Sequence, residues 1–228
     1  MYWDSTYILV ILGAIVSMIA SINVNNAFSR YSEEGFATNM TAQEVAQLIL
    51  RSAGIDDVRI ECTHGSLTDH YSPNEKVLRL SESVYNSTTV AAIGVAAHEC
   101  GHAIQHKEEY GPLKLRSASV PIANFGSYLS LPLVILGVIL GSTGLAHVGV
   151  ILFTFVVLFQ LITLPVEFNA SKRALAALES GSILSGRELS GAKEVLRAAA
   201  LTYVAALFSA ILQLLRLVLL ARGGRRRN

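Results

Sequence analysis

The sequence predicts a mainly α-helical membrane protein: four transmembrane helices plus a small α+β polar domain at the membrane surface. Three observations lead to that class. The chain of 228 residues is 52% hydrophobic and only 15% charged, with a mean hydropathy of +0.47. That charged share lies well below the roughly 25% of an ordinary soluble protein. Four apolar runs approach or exceed the length of a bilayer span. Between the first and second runs lies a polar region, residues 25–117, with the capping, turn and alternation signals of a mixed α/β fold. The net charge of +1 gives no reason to expect a nucleic-acid partner.

The first run, residues 7–24 within a segment 1–24, is near the minimum length for a span. Tyr2, Trp3 and Tyr7 sit at its start, where an aromatic belt belongs. A cleavable signal peptide needs a basic leader, whereas Asp4 and no Lys or Arg precede this run, so a retained helix is expected. In the polar region, Thr41-Ala-Gln-Glu44 reads as a capping box opening a helix to about Ser52, with Gly54 as its stop. Residues 58–62 and 76–81 alternate like strands, and residues 69–74 read as the turn of a hairpin or short antiparallel sheet. A strand just before the following helix suits capture of an extended peptide by strand addition, or is simply structural. The second and third runs, residues 120–142 and 145–166, carry no formal charge and share a short Gly-rich connector. They read as a transmembrane hairpin over residues 118–166. A second polar stretch, 167–197, is helical in pattern and broken near Gly181 and Gly186. The fourth run, in segment 198–228, carries Arg216 near its end, placed to snorkel, and an arginine-rich tail follows. With four spans, both polar stretches fall on one side of the membrane.

His98-Glu99-Cys100-Gly101-His102 is the chemical centre of the chain. The surrounding residues are Ala-rich and proline-free, with Ser87, Thr88 and Thr89 as candidate N-caps, so the motif belongs on a helix. Residues four apart then share a face, and two imidazoles reach one metal ion. Glu99 points about 100° away, free to serve as a general base towards a metal-activated water. The plainer alternative, two structural histidines and a surface glutamate, does not account for motif, spacing and helical context together. Cys62 and Cys100 are too few for a disulfide framework and fit a reducing compartment.

A catalytic zinc takes three protein ligands and leaves one position open. His106 shares the face of His98, but the two lie about 12 Å apart along a regular helix, too far for one ion. The longer pattern H-E-x-x-H-x-x-G-x-x-H also fails, because Gln105 replaces its glycine and Glu108 its last histidine. No Asp or Glu occurs between Glu109 and Glu167. Glu167 then follows the third run directly, on a helix expected to start after Pro165. It is the leading third ligand; a helix-capping role is the alternative, and His64, Asp69 and His70 compete from the polar region. Ser171, one turn on, is placed to support Glu167.

Taken together, the motif helix, the Asp69-His-Tyr-Ser-Pro and Leu78-Arg-Leu-Ser81 segments, Glu167-Phe-Asn-Ala-Ser171-Lys-Arg-Ala and the stretch from Gly191 to Tyr203 resemble the bacterial YugP-type neutral zinc metallopeptidases of the membrane. The resemblance covers nearly the whole chain. A wider one is to HtpX-type and prenyl-protein membrane proteases, which carry a later E-x-x-A-D whose glutamate binds zinc; Ser171 stands at the aspartate position. It implies a zincin-like metalloprotease domain, Zn2+ as cofactor held by His98, His102 and Glu167, and Glu99 as general base in peptide-bond hydrolysis. His70, Tyr71, Arg197 and Tyr203 are candidates for oxyanion or substrate contacts. A peptide or membrane-protein substrate and membrane lipid are the expected partners, and a homo-oligomer or membrane-protein partner is compatible. Most of the 18 Lys and Arg lie on the motif's side, Lys114, Arg116, Lys172, Arg173 and Arg197 near span ends. They favour a multi-pass protein of the cell membrane with a cytoplasmic site, against the pull of the arginine-rich tail. The rival readings are a non-catalytic zinc-bearing membrane scaffold, a metal transporter and a protease cutting within the bilayer. A scaffold needs no Glu99, a transporter should bear ligands inside its spans, and Lys107, Glu108 and Glu109 follow the motif too closely for a buried intramembrane site.

Overall fold

A computed structural model describes residues 5–33 and 40–223. Tyr2 and Trp3 of the aromatic belt, Asp4, and the arginines at 225–227 lie outside the described residues. The elements, in order, are α1 (Tyr7–Ser32), α2 (Ala42–Ser52), β1 (Arg59–Thr63), β2 (His70–Ser72), β3 (Val77–Ser81), α3 (Glu82–Tyr85), α4 (Val90–Lys107), α5 (Gly111–Ile139), α6 (Thr143–Ser180) and α7 (Gly186–Gly223). The fold is mainly α with one small sheet. Four helices among the described residues, α1, α5, α6 and α7, are long and apolar enough to cross a membrane. Only 11–28% of each apolar window is buried within the protein. Their apolar side chains therefore face outward, which suits lipid and not water.

The chain forms two compact units, and α1, α5, α6 and α7 contribute to both. The first holds the apolar stretches up to Ser21, Lys114–Pro165, and from Leu201 on. Its helices approach through small residues, as apolar helices in lipid do. Ser209 Oγ donates to the Gly13 carbonyl at 3.0 Å and meets Ser17 Oγ at 3.0 Å, joining α1 to α7. Between α5 and α6 the backbones touch at Gly149, where a Cβ would lie 2.6 Å from the Ser130 carbonyl oxygen. Arg216 does not reach outward as a snorkelling side chain would. It is 8% exposed, and its guanidinium lies 4.3 Å above the Tyr7 ring, where the π-face stabilises the cation.

The second unit, Ile22–Leu113 with Val166–Ala200, brings the two polar stretches into one body. The capping box forms as its sequence dictates: Glu44 N–H donates to Thr41 Oγ1 and Thr41 N–H to Glu44 Oε2. The amphipathic α2 then buries Val45, Ala46, Ile49 and Leu50. At the centre lies α4, whose Ala- and Gly-rich surface is buried on nearly every side. Small side chains let α2, the sheet, α6 and α7 crowd around it, and Ile93, Leu78, Leu80, Leu178 and Leu196 fill the gaps.

The sheet departs from the expected hairpin. Its order is β1-β3-β2, with β1 parallel to β3 and β2 antiparallel to it. The two alternating segments are thus parallel neighbours. The Pro73-Asn74 turn joins β3 instead to the three-residue β2, inside the span read as a turn. Gly65 at φ +105° and Leu67 at φ +55° bend the chain back so that β2 can form. Asp69 closes this corner, accepting from Ser81 N–H at 2.7 Å and from the Ser81 hydroxyl.

Pro165 also differs from expectation. It sits inside a continuous α6 and does not precede a new helix. A proline interior to a helix removes one backbone bond and crowds the preceding turn, yet apolar spans tolerate it. The third span and the segment bearing Glu167 are therefore one element. The break between α6 and α7 falls where expected, with Ser182 and Gly186 at positive φ.

Candidate metal centre

Thr89 caps α4 by accepting from Ala92 N–H. Three turns further on, the histidine pair emerges on one face. The His98 and His102 rings stand edge to face, 4.8 Å between centroids. From α6, Glu167, 1% exposed, directs Oε2 between them, 3.2 Å from His98 Nε2 and 3.5 Å from His102 Nε2. The three donor atoms lie within 4.8 Å of one another. Zinc bonds of about 2.0–2.1 Å at tetrahedral angles hold neighbouring donors roughly 3.3 Å apart. Both histidine–carboxylate separations have that length, and two imidazoles with one carboxylate are zinc-type donors. The residues present fit a zinc ion.

The outer nitrogens of both rings are engaged, as ligating histidines require. His98 Nδ1 lies 3.1 Å from Ser171 Oγ. His102 Nδ1 lies 3.0 Å from Gln105 Oε1. Ser171 thus steadies a histidine, whereas the sequence placed it behind Glu167. Gln105 is the site residue the sequence does not single out, entering only as a mismatch to a longer motif. The available signal was spacing, because a residue three positions after His102 is its neighbour on the helix surface.

Glu99 leaves the ligand face as expected. It is 8% exposed, and its Oε2 accepts from Tyr71 N–H at 2.9 Å. Tyr71 belongs to β2, the edge strand. Its phenol contacts His106 Nδ1 at 2.9 Å, and burial, helped by Asp57, pushes its pKa up to about 12. His106 is engaged here, away from His98. Beside this pair a cavity of about 600 Å³ opens, lined by Ile55, Val58, Lys76 and Ala103 as well as Tyr71 and His106. Ala103 and His106, which line the cavity, follow Glu99 at helical spacing and so share its face of α4.

The other candidates fall elsewhere. His64 contacts Glu82 at 2.8 Å. His70 is exposed, its Nδ1 2.9 Å from the Thr68 carbonyl oxygen, and Asp69 is taken up by Ser81. Arg197 is exposed on α7, and Tyr203 lies further along that helix in the other unit. Cys100 is fully buried, and burial together with the Glu99 charge pushes its thiol far above the ordinary range. Burial opposes the charged form of His102, but the hydrogen bonds its ring donates to Glu167 and Gln105 and the charges of Glu99 and Glu167 outweigh it. Its net pKa is raised.

Fold and site together define a multi-pass membrane protein whose His98, His102 and Glu167 form a group that could hold a metal ion. The chain belongs to the family described as "Putative neutral zinc metallopeptidase", whose model matches residues 6–222. It is 46% identical over 213 residues to "Putative membrane protease YugP" of Bacillus subtilis (strain 168), covering 93% of this chain and 95% of that one. No solved structure matches the chain.

Proposed function

We propose that this protein hydrolyses peptide bonds near the membrane surface, with His98, His102 and Glu167 holding zinc and Glu99 as general base. The observation that carries the reading is the meeting of both Nε2 atoms on Glu167 Oε2, with the Glu99 carboxylate held alongside by the Tyr71 N–H. Zinc in that position supplies Lewis acidity, polarising a carbonyl and lowering the pKa of water. Glu99 takes the proton of the attacking water and delivers it to the leaving amine nitrogen. The bond from Tyr71 N–H fixes the direction of that carboxylate.

The β2 edge supplies a template for the substrate. Tyr71 N–H points away from β3 to Glu99, so the Tyr71 carbonyl lies on the same outer edge, beside Glu99. An extended peptide adds there as a further strand, and the cavity beside His106 receives one of its side chains. A site near the surface follows from Glu167, which stands directly after the third apolar run. Residues 25–117 and 167–197 act together as the zincin-like domain, on the cytoplasmic face indicated by the basic residues flanking the spans.

The test is the full-length protein in detergent, assayed for zinc content and for cleavage of quenched-fluorescent peptides. Glu99→Gln retains zinc and loses about 10²–10⁴-fold in turnover, whereas Glu167→Ala loses zinc. Full turnover by the Glu99→Gln form refutes the scheme.

A further inference from the structure

We infer that Gln105 is the positioning residue of the metal centre, fixing the proton of His102 on Nδ1 and tying the histidine helix to the glutamate helix. The inference rests on His98, His102 and Glu167 being metal ligands.

Gln105 is fully buried, and every polar group of its amide is used. Oε1 faces His102 Nδ1 at 3.0 Å. Nε2 donates to the Val166 carbonyl at 2.8 Å and to Asn169 Oδ1 at 3.0 Å. Both of those acceptors are on α6, flanking Glu167 in sequence.

Two groups with fixed polarity decide all the directions in between. Arg173 has donors only. Its Nε donates to Asn169 at 2.7 Å, which makes the atom it meets the amide oxygen. Asn169 Oδ1 must then accept from Gln105 as well. The Val166 carbonyl is an obligate acceptor and sets the same orientation. A flipped Gln105 amide would aim its oxygen at two other oxygens. Gln105 Oε1 therefore faces the histidine, and His102 Nδ1 carries the hydrogen. The lone pair is left on Nε2, the nitrogen beside Glu167.

That proton position is what a zinc ligand through Nε2 requires. The wrong tautomer would present an N–H to the ion. Neutral imidazole free of partners exchanges between tautomers, so the relay supplies a choice the ring does not make alone. The same contacts hold the ligand helices in register. Glu108, at the C-cap of α4, closes the ring by accepting from Arg173 Nη1 at 2.7 Å. Gln105 and Glu108 occupy the two positions at which the longer H-E-x-x-H motif would carry glycine and a third histidine. Here both reach across to the helix that supplies the third ligand.

The experiment uses the full-length protein in detergent. Zinc dissociation constants are measured by chelator competition. The His102 tautomer is read by ¹⁵N NMR on the metal-free protein carrying Glu167→Ala, where no carboxylate competes for a hydrogen on Nε2, at a pH where the ring is neutral. Gln105→Met keeps the length and apolar volume of the side chain and removes the relay. It should weaken zinc binding about 10–100-fold and turn a single Nδ1–H tautomer into a mixture.

A second pair tests the relay one step further away, at the half-exposed Asn169. Asn169→Asp keeps an acceptor for both Gln105 and Arg173 and should hold zinc within about twofold of wild type, whereas Asn169→Leu should bind several-fold more weakly. Wild-type affinity and a single tautomer in Gln105→Met, or equal affinities for the two Asn169 variants, overturn the inference. A wild-type protein that takes up no zinc overturns instead the assignment of the ligands, and the tautomer measurement still reports on the relay.

Discussion

Gly101 and Ala170 touch backbone to backbone: a Cβ on Gly101 would lie 2.4 Å from the Ala170 carbonyl oxygen. Gly101 sits between His98 and His102, and Ala170 follows Glu167 by less than a turn. The absence of a side chain at one position lets α4 approach α6 closely enough for the carboxylate to reach both histidines. The glycine of the motif thus shapes the His98–His102–Glu167 group without contributing a side chain to it.

Gly101→Ala should therefore separate the two helices. Overpacking of this kind costs about 1–3 kcal/mol, and the obstructing atom is backbone, which cannot turn aside. We expect a lower thermal midpoint and weaker zinc binding by about an order of magnitude, since about 1.4 kcal/mol lost from the bound state is tenfold. Scanning fluorimetry and chelator competition measure both. Undiminished zinc affinity in a folded Gly101→Ala protein would show that this contact does not set the ligand geometry.

Much of this was legible from the chain. Local rules placed the capping box at Thr41 and Glu44, the Thr89 cap and the histidine pair, because those signals lie within one or two helical turns. The apolar runs gave the four long helices. Glu167 was reachable because no other acidic residue lies between it and Glu109. Less legible was everything decided by tertiary neighbours. β2 has three residues, too few for alternation to show, and it exists because β3 and Glu99 engage its two edges. Pro165 reads as a boundary in water but not within an apolar helix. Ser171 and Gln105 have partners that depend on how α6 lies against α4, which no spacing along one segment encodes.

With His102 as a zinc ligand, as proposed, protons and zinc compete for its ring. In the metal-free protein its pKa is raised above the ordinary 6.5, because the contacts with Glu167 and Gln105 and the charge of Glu99 outweigh burial. A raised folded-state pKa contributes stability that is fully present below the unfolded value and is lost as pH rises through the folded value. The metal-free protein should lose that contribution above pH 6.5. Zinc requires the neutral ring, so its apparent affinity rises over the same range. The increase in thermal midpoint on adding zinc should thus be small at acid pH and grow as pH rises. Thermal melts with and without zinc from pH 5.5 to 8.5 measure it, and a zinc shift independent of pH would contradict the assignment of His102 as a ligand.

The two cysteines report which side of the membrane the site occupies. Cys62, in β1, is exposed, and Cys100, in α4, is fully buried. Cys100 also has its thiol held far above the ordinary range by burial and by the Glu99 charge, and thiolate is the reactive form. A membrane-impermeant maleimide should therefore label the native protein at Cys62 alone, and Cys62→Ser should abolish labelling. With Lys114, Arg116, Lys172, Arg173 and Arg197 near span ends on the site's side, the proposed cytoplasmic site predicts that Cys62 faces the cytoplasm. Intact cells should then give no labelling and lysed cells full labelling. Equal labelling in both would move the metal centre to the outer face. By the same count of four spans, a cysteine placed at Asn228 should show the reverse pattern in the same cells.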